Sequence, residues 1–300
     1  MRARWWGHTT VGLELAGVRL LTDPVLTGSI AFLRRRAGAV PTADAGEVDA
    51  VLVSHLHADH CHVPSLQRLD PAVRLLVPEG AAAVFRSAGA AGLAARCEEL
   101  PPGANATVTG PAGASVVVET AAAAHDPRRS PWSRHRGAAL ESTITGGGRR
   151  VWFPGDTGLH EQMCTLGPVD LGLVPVGGWG PSLGPGHLDP SRATEATRRV
   201  GIAHVVPVHY GTFWPVGLDR VRPDLFAPPG AEYAARCAAV CPATAVHVLT
   251  HGEVLELGSD LHAAADLDLG ADADAGAGGG GDHDTDLDAG CGPVSSGRPR

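Results

Sequence analysis

A dense group of metal-binding residue types lies within residues 54–60, at the end of an apolar run at residues 49–54. Neutral imidazole and carboxylate groups are suitable donors for zinc and other borderline first-row metals. A loop that follows a buried strand can turn several such side chains towards one point. The spacing therefore predicts a metal site in preference to a solvent-exposed cluster of histidines. The four residues concerned are His55, His57, Asp59 and His60.

Three further polar residues follow apolar, strand-like runs elsewhere in the chain: His125, Asp156 and His209. One loop cannot complete the coordination of a metal alone, so additional ligands are expected at the ends of other strands. Asp156 lies within Pro-Gly-Asp-Thr-Gly at residues 154–158, where the glycines permit a tight turn that exposes the carboxylate. Singly, each residue could be an ordinary turn or surface residue. Together with residues 55–60, they favour one shared site.

The apolar runs also predict the elements that position these residues. Glycine-containing turns are expected at residues 16–17 and 146–148, each between two strands. Helices are expected over residues 79–88 and 190–200, the second with Asp189 as its N-cap. Strands interleaved with helices predict an α/β fold. The expected strands cover residues 11–15, 18–21, 49–54, 73–77, 115–120, 139–145, 149–154, 169–174 and 204–208.

Most of the net charge belongs to the last part of the chain. The 300 residues carry a formal charge of −8, and all 24 cationic residues are arginine. Residues 259–300 contain nine Asp and two Arg, so the preceding residues are close to neutral. This glycine-rich segment has few large apolar side chains and cannot bury enough surface to offset the entropy of ordering. We therefore expect one folded domain over residues 1–258 and a disordered Asp/Gly-rich tail over residues 259–300.

The composition argues against nucleic-acid and membrane partners. The folded part has no lysine and no excess of positive charge, which a nucleic-acid binder normally shows. No run of 18 apolar residues occurs, so no membrane span is expected. Residues 1–6 lack the apolar segment of a secretory signal, and the six cysteines lack the spacing of a disulfide framework. We expect a cytoplasmic, bacterial protein with reduced thiols, and we leave open a homo-oligomer.

The order of these motifs resembles that of the metallo-β-lactamase-fold hydrolases, over residues 5 to about 226. A narrower resemblance links the chain to the N-acyl-phosphatidylethanolamine phospholipase D-like branch and to its relatives, the L-ascorbate-6-phosphate lactonases. The resemblance implies a four-layer αββα sandwich with a two-metal site at one edge of the paired sheets. The narrower resemblance depends on Gly7-His8-Thr9-Thr10, Leu21-Thr22-Asp23-Pro24, residues 155–158, His187-Leu188-Asp189-Pro190 and residues 208–213.

The resemblance also implies a division of the ligands between two zinc ions. One ion would be held by His55, His57 and His125. The other would be held by Asp59, His60 and His209, with Asp156 bridging the two. The di-iron oxidoreductases of this fold resemble the pattern with Glu in place of His57, so this histidine favours zinc and hydrolysis. Mn²⁺ or Fe²⁺ stays open, because such ligands do not select sharply among first-row metals.

Two-metal chemistry then defines the expected reaction. A pair of ions about 3.5–4 Å apart lowers the pKa of a bound water from 15.7 towards about 7. The resulting hydroxide would attack a phosphoester or a lactone or other ester of a small substrate. Asp59 is expected to orient the nucleophile, and His187 is a candidate for proton transfer or substrate contact. The alternatives are a phospholipase D-like lipid phosphodiesterase, a nuclease of the same fold and a non-catalytic metal-binding protein.

Other residues near these motifs have two interpretations each. His8 and Asp23 are either hydrogen-bond partners of the ligands or structural residues of the first hairpin. Arg128, Arg129 and Arg134 either pair with an anionic substrate or form a solvated loop. Cys61 is expected to pack in the core, because the seven ligands already complete the site. Choice of substrate is expected to depend on the loops at residues 29–44, 125–137 and 177–186.

Overall fold

The computed structural model describes residues 1–42, 45, 47–180, 183–222 and 229–258. The predicted disordered tail at residues 259–300 lies outside the described residues. The strands are β1 (Arg2–Gly7), β2 (Thr10–Leu15), β3 (Val18–Thr22), β4 (Ser29–Ile30), β5 (Leu33–Arg35), β6 (Ala50–Leu52), β7 (Arg74–Pro78), β8 (Cys97–Leu100), β9 (Asn105–Thr109), β10 (Ser115–Ala122), β11 (Leu140–Gly146), β12 (Arg149–Phe153), β13 (Val169–Pro175), β14 (Ile202–Val208), β15 (Phe213–Pro215), β16 (Ala245–Val246) and β17 (Val254–Glu256).

Helices alternate with these strands in the later parts of both halves of the chain. Most are short, and the two longest, near the C-terminal end of the described chain, contain 11 and 12 residues. A 3-10 helix covers Glu161–Thr165. The α-helices are α1 (Val63–Leu66), α2 (Ala81–Ser87), α3 (Ala91–Arg96), α4 (Pro190–Val200), α5 (Leu218–Val221) and α6 (Pro229–Val240).

Two seven-stranded sheets with matching topology dominate the fold. The first has the order β17-β1-β2-β3-β6-β7-β8, and the second has the order β16-β14-β13-β12-β11-β10-β9. In the first sheet, the pairs from β17 to β3 are antiparallel and those from β3 to β8 are parallel. In the second, the pairs from β9 to β12 are antiparallel and those from β12 to β16 are parallel. A smaller sheet has the order β15-β5-β4.

Helices cover the outer face of each large sheet. On the first sheet, Val51 and Leu75 pack in one buried cluster with Leu66 of α1 and Phe85 of α2. On the second sheet, α4 contacts β13 and α6 contacts β14. The inner faces are also buried, as Leu20 and the cross-strand row of Val118, Ile144, Val151 and Leu171 are all 0% exposed. The four-layer αββα sandwich expected from the sequence is therefore confirmed.

The inner edges of the two sheets meet where the parallel strands end. The backbone N–H of Leu140, at the start of β11, donates to the Ser54 carbonyl after β6 at 2.8 Å. The backbone N–H of His209, after β14, donates to the His8 carbonyl after β1 at 3.0 Å. Because parallel strands bring their carboxyl ends to the same edge, the loops after β6, β12 and β14 come together here.

The predicted elements are present with small shifts at their ends. The hairpin between β2 and β3 turns at Ala16 and Gly17, and α4 begins after Asp189, whose carboxylate accepts from Arg192 N at 2.8 Å. The strand expected over residues 49–54 is shorter, at Ala50–Leu52. It leaves the β3 ladder early because the Asp23 carboxylate, not a backbone carbonyl, accepts the Ser54 N–H.

The boundary and cysteine predictions have different outcomes. Contacts within the chain separate Met1–Glu256 from Leu257–Arg300, and the domain boundary after residue 258 stays a prediction. Cys61 is fully buried in the core cluster below the first sheet, which confirms its packing role. Four cysteines, Cys61, Cys97, Cys237 and Cys241, are free thiols as expected, and Cys291 lies outside the described residues.

Candidate metal centre

Two groups of potential metal ligands lie at the edge where the sheets meet. Within each group, one ligand atom from every residue lies within 4.8 Å of the others. The first donor group contains His55, His57, His125 and Asp156, and the second contains His8, Asp59, His60 and His209. All seven residues that the sequence predicted as ligands are therefore brought together, and His8 joins the second group; the division of ligands between two ions stays a prediction.

Asp156 lies between the two donor groups. Its Oδ2 is 3.2 Å from Nε2 of His60 and 3.2 Å from Nε2 of His209, both in the second donor group. The same oxygen is 3.9 Å from Nε2 of His55 in the first. One carboxylate oxygen thus faces imidazoles of both groups, which is the arrangement needed for a bridging ligand.

The turn that presents Asp156 requires glycine at the preceding residue. Gly155 has a φ of +60°, a left-handed conformation that costs glycine little. A Cβ at this residue would also overlap with the Ser54 side chain, so no larger residue fits without movement. The glycine therefore lets the loop after β12 approach the loop after β6, as the sequence predicted.

Hydrogen bonds from outside the donor groups orient several ligands. Nδ1 of His60 donates to Asp23 Oδ2 at 2.6 Å, and Nδ1 of His209 donates to the Gly177 carbonyl at 2.8 Å. Such bonds fix which ring nitrogen carries the proton and leave Nε2 of each ring for a metal. Asp23 itself is 0% exposed and also accepts from Ser54 Oγ at 2.6 Å. The ligand-partner interpretation of Asp23 therefore has direct geometric support.

The first donor group has similar contacts to the chain at two of its histidines. Nδ1 of His125 donates to the Gly186 carbonyl at 2.8 Å, and Nδ1 of His55 lies 3.0 Å from Ser54 Oγ. Nδ1 of His57 lies 3.1 Å from Nε2 of His125, a member of the same group. The rings of His57 and His125 are half-buried, so this group is more open to solvent than the second.

Burial keeps the histidines of the first donor group neutral. It lowers the pKa of His55 well below its ordinary value and lowers the pKa of His57. It also lowers the pKa of His125 to about 4. Neutral imidazole is the form that binds metal ions, so these three side chains are in the required state near neutral pH.

The two carboxylates are held in their charged form. Burial raises the pKa of Asp156, but the charges of His209 and His60 outweigh it and place the pKa well below its ordinary value. For Asp59, burial is likewise outweighed, first by the charge of His60, so its pKa is also well below the ordinary value. Both oxygens are therefore available as anionic donors.

His187 lies beside the bridging carboxylate rather than in either donor group. Its Nε2 is 3.4 Å from Asp156 Oδ2, and its ring centroid is 4.8 Å from that of His125. Its side chain is 22% exposed, so it connects the centre with solvent. The predicted substrate or proton-transfer histidine is thus placed at the site.

The arginines after His125 are largely engaged with the protein itself. Arg128 forms a two-pronged ion pair with Asp126, and Arg129 donates to the carbonyl groups of Leu56 and Cys61. Arg129 therefore supports the backbone of the ligand loop. Of the three predicted anion-binding candidates, Arg134 is the exposed one.

An aromatic pair beside the centre was not predicted from the sequence. Phe32 is 58% exposed and meets Trp179 edge to face, with ring centroids 5.4 Å apart. Trp179 and Ala58 both pack against the small cluster that contains Phe213. Trp179 lies two residues after Gly177, whose carbonyl accepts from His209, so the aromatic pair lies on a loop that contacts the metal centre. The only signal for it was that both rings fall in loops expected to choose the substrate.

The family of this chain follows from its match to a known profile. The β-lactamase superfamily domain matches residues 18–210, more than half of the chain. This chain belongs to that superfamily. The chain is 28% identical over 232 residues to an N-acyl-phosphatidylethanolamine-hydrolyzing phospholipase D of Caenorhabditis elegans. The aligned region covers 72% of this chain and 65% of that protein. It therefore spans slightly less than two thirds of that relative.

One further relative and two solved structures are also similar to this chain. A metal-dependent hydrolase of Caldivirga maquilingensis is 26% identical over 259 residues, covering 85% of this chain and 97% of that protein. The metallo hydrolase Igni18 of Ignicoccus hospitalis has the same fold, with a TM-score of 0.62, 20% identity, and coverage of 86% and 99%. The diiron β-hydroxylase CmlA of Streptomyces venezuelae also shares the fold, with a TM-score of 0.59, 18% identity, and coverage of 85% and 54%.

Among the residues that the structure describes, no helix is both long enough and apolar enough to cross a bilayer.

Proposed function

We propose that this protein is a metal-dependent hydrolase with a dinuclear zinc centre that cleaves a phosphoester, lactone or other ester bond of a small substrate. The observation that carries the proposal is the position of Asp156. One of its oxygens faces imidazoles of both donor groups at 3.2–3.9 Å. A shared carboxylate between two histidine-rich groups is suited to two neighbouring cations and has no evident purpose in a purely structural cluster.

The residues present fit such a centre. Nε2 of His55 and Oδ1 of Asp156 are buried and have no hydrogen-bond partner among the described residues. An unpaired buried polar atom costs about 1–3 kcal/mol, so two at one site indicate a missing partner that accepts electron pairs. A donor set of imidazoles and carboxylates suits zinc, with iron or manganese as the alternatives, and is unlike the all-oxygen sets of calcium and magnesium.

Residues of the chain itself would orient the attacking water, deliver a proton and exclude other water. When bound, two metal ions would supply an activated water and stabilise developing negative charge. Asp59 reaches the centre on the side of His8 and would orient the attacking water. His187 stands on the solvent side of Asp156, where its Nε2 could contact a leaving group and deliver a proton to it. Burial of the second donor group would exclude other water from the reacting atoms.

Metal content and turnover together test this proposal. Elemental analysis of the purified protein should find about two ions per chain. Turnover of a generic phosphodiester or lactone should be lost in the presence of a chelator and restored by zinc. His55→Ala and Asp156→Ala should each lose turnover, whereas His247→Ala, which alters a histidine paired with His204 away from the centre, should not. Full turnover in either ligand variant would refute the proposal.

A lipid phosphodiester is the second candidate, favoured by the aromatic pair of Phe32 and Trp179. An exposed phenylalanine beside a metal centre offers an apolar surface to a substrate chain. The C. elegans relative carries the name of a phospholipase that hydrolyses an N-acylated phospholipid. If kcat/KM rises with the acyl chain length of the substrate, and Phe32→Ser removes the rise, the lipid candidate is favoured. An unchanged kcat/KM across chain lengths favours the small substrate.

We infer that the protein acts in the cytoplasm and does not bind nucleic acid. Salt-sensitive binding of RNA would instead favour a nuclease of this fold, since such binding depends on contacts with phosphates. Metal binding without any turnover would favour a non-catalytic metal-binding protein.

A further inference from the structure

We propose that the second donor group binds its metal ion before the first, and that His8 is a positioning residue that holds Asp59 ready for it. This inference rests on the proposed function only in requiring that the centre binds metal ions. It concerns the order of binding and the role of one histidine, and both can be measured without a substrate.

Burial distinguishes the two donor groups. His8, His60 and His209 are at most 1% exposed, and Asp59 is 8% exposed. In the first donor group, His55 and Asp156 are equally buried, but the rings of His57 and His125 are only half-buried. The packed surroundings of the second group leave its side chains little freedom to lose when a metal binds. A site that is organised in advance binds more tightly, because ordering its ligands costs less.

Partners from outside the group hold the second group more completely. His60 is fixed by Asp23, and His209 is fixed by the Gly177 carbonyl, at 2.6 and 2.8 Å. In the first donor group, the hydrogen bond of the His57 ring is to His125, another candidate ligand. No partner beyond its own group orients the His57 ring among the described residues. The side chains of the first group must therefore become ordered when the metal binds.

The backbone gives an independent indication of the same difference. Five non-glycine residues in the described chain have a positive φ, and three of them belong to the second group or hold it. They are His8 at 53°, Asp23 at 33° and His209 at 64°. Such conformations persist only where the surroundings enforce them, and they concentrate at functional sites. No residue of the first donor group has one.

His8 is fixed from several sides and presents one nitrogen to Asp59. Its backbone N–H donates to Thr212 Oγ1 at 2.7 Å, and its carbonyl accepts from Trp5 Nε1 at 2.9 Å and from His209 N at 3.0 Å. Its Nε2 then donates to Asp59 Oδ2 at 3.0 Å. Through this bond, the histidine fixes the orientation of a carboxylate that would otherwise rotate freely at the end of its loop.

The order of binding can be tested by calorimetric titration of the metal-free, full-length protein with Zn²⁺. We expect two steps, the first at least ten-fold tighter. His125→Ala should remove the weaker step and leave the tighter one, and His209→Ala should remove the tighter one. Loss of the tighter step in His125→Ala, or two steps of equal affinity, would overturn the inference while leaving the hydrolase proposal intact. Failure to bind zinc at all would instead refute the hydrolase proposal.

The role of His8 can be tested with a matched pair of variants of similar length. His8→Gln keeps an N–H donor, whereas His8→Met has none. Loss of a residue that supports a ligand typically weakens metal binding 10–100-fold, and we expect this loss in the tighter step for His8→Met. His8→Gln should recover most of it, and the weaker step should change in neither. Equal weakening by both variants, or equal weakening of both steps, would show that His8 acts only through packing.

Discussion

Replacement of Asp23 by asparagine should lower the affinity of the protein for metal strongly while lowering its stability only slightly. Asp23 is 0% exposed, and its Oδ1 accepts from the Ser54 N–H at 2.7 Å. Its Oδ2 accepts from Ser54 Oγ at 2.6 Å and from His60 Nδ1 at 2.6 Å. The carboxylate thus serves three donors at once, one of which belongs to a proposed metal ligand.

The two obvious variants should behave differently. Asp23→Ala leaves the Ser54 N–H and the His60 Nδ1–H buried without acceptors, at about 1–3 kcal/mol each. A loss of about 2–6 kcal/mol is expected, a large part of the 5–15 kcal/mol typical of a whole domain. In Asp23→Asn, the amide oxygen must face the Ser54 N–H, because a backbone N–H cannot accept. The amide NH₂ then faces His60, and the loss in stability should be only about 1–2 kcal/mol.

The asparagine variant should nevertheless bind metal poorly. An NH₂ group opposite Nδ1 of His60 favours the tautomer with the proton on Nε2, and a protonated Nε2 cannot coordinate a metal. A 10–100-fold loss of zinc affinity is expected at the second donor group. Denaturant unfolding measures the stability, calorimetry measures the affinity, and nitrogen-15 spectra of the metal-free protein report the His60 tautomer.

A suitable control is Asp49→Asn, which alters a carboxylate at the opposite end of β6. Asp49 Oδ2 accepts from Arg19 N at 2.7 Å, far from the donor groups along the strand. Its replacement should leave zinc affinity unchanged. The reasoning is refuted if Asp23→Asn binds zinc as tightly as the natural protein does, or if it is destabilised as strongly as Asp23→Ala.

Three further outcomes are expected. Gly155→Ala should lose more stability in thermal unfolding than Gly17→Ala, because both have left-handed φ values of 60° and 79° but only the former would overlap with Ser54. The pKa of His160 is raised, chiefly by its contact with the buried Glu141 carboxylate at 3.4 Å, so its contribution to stability is complete below about pH 6.5 and is lost as the pH rises through the folded-state pKa. The melting temperature of His160→Gln should therefore approach that of the natural protein at high pH, and a constant difference would contradict this. A chain truncated after Gly258 should keep its metal content and turnover, and loss of either would show that the tail does more than solvate.

Local sequence patterns were sufficient to predict much of the core architecture. The hairpin of β2 and β3 and helix α4 followed from apolar spacing, turn residues and a capping aspartate, which are all short-range signals. Strands of two or three residues, such as β4 and β5, contain too few positions for a periodic pattern. They form because β4 pairs with β5, and β5 also pairs with β15, about 180 residues later in the chain.

The candidate site shows the same division between local and distant information. The ligand types of residues 55–60 could be recognised because they stand together after one strand. The contact of His8 with Asp59 joins residues 51 positions apart, and the contact of Phe32 with Trp179 spans still more of the chain. Such pairings depend on how the two sheets pack. The sequence therefore left His8 with two interpretations and gave no sign of the aromatic pair.

Each donor group draws its residues from both large sheets. In the first, His55 comes from the loop after β6 and Asp156 from the loop after β12; in the second, His60 and His209 follow β6 and β14. Bound ions would therefore link segments about 100–150 positions apart, as covalent cross-links do. They would restrict the unfolded chain only if they stay bound to it after unfolding. With metal present, the two sheets should come apart in a single transition. After chelation, each sheet would be able to unfold separately. The metal centre would therefore also couple the unfolding of the two large sheets.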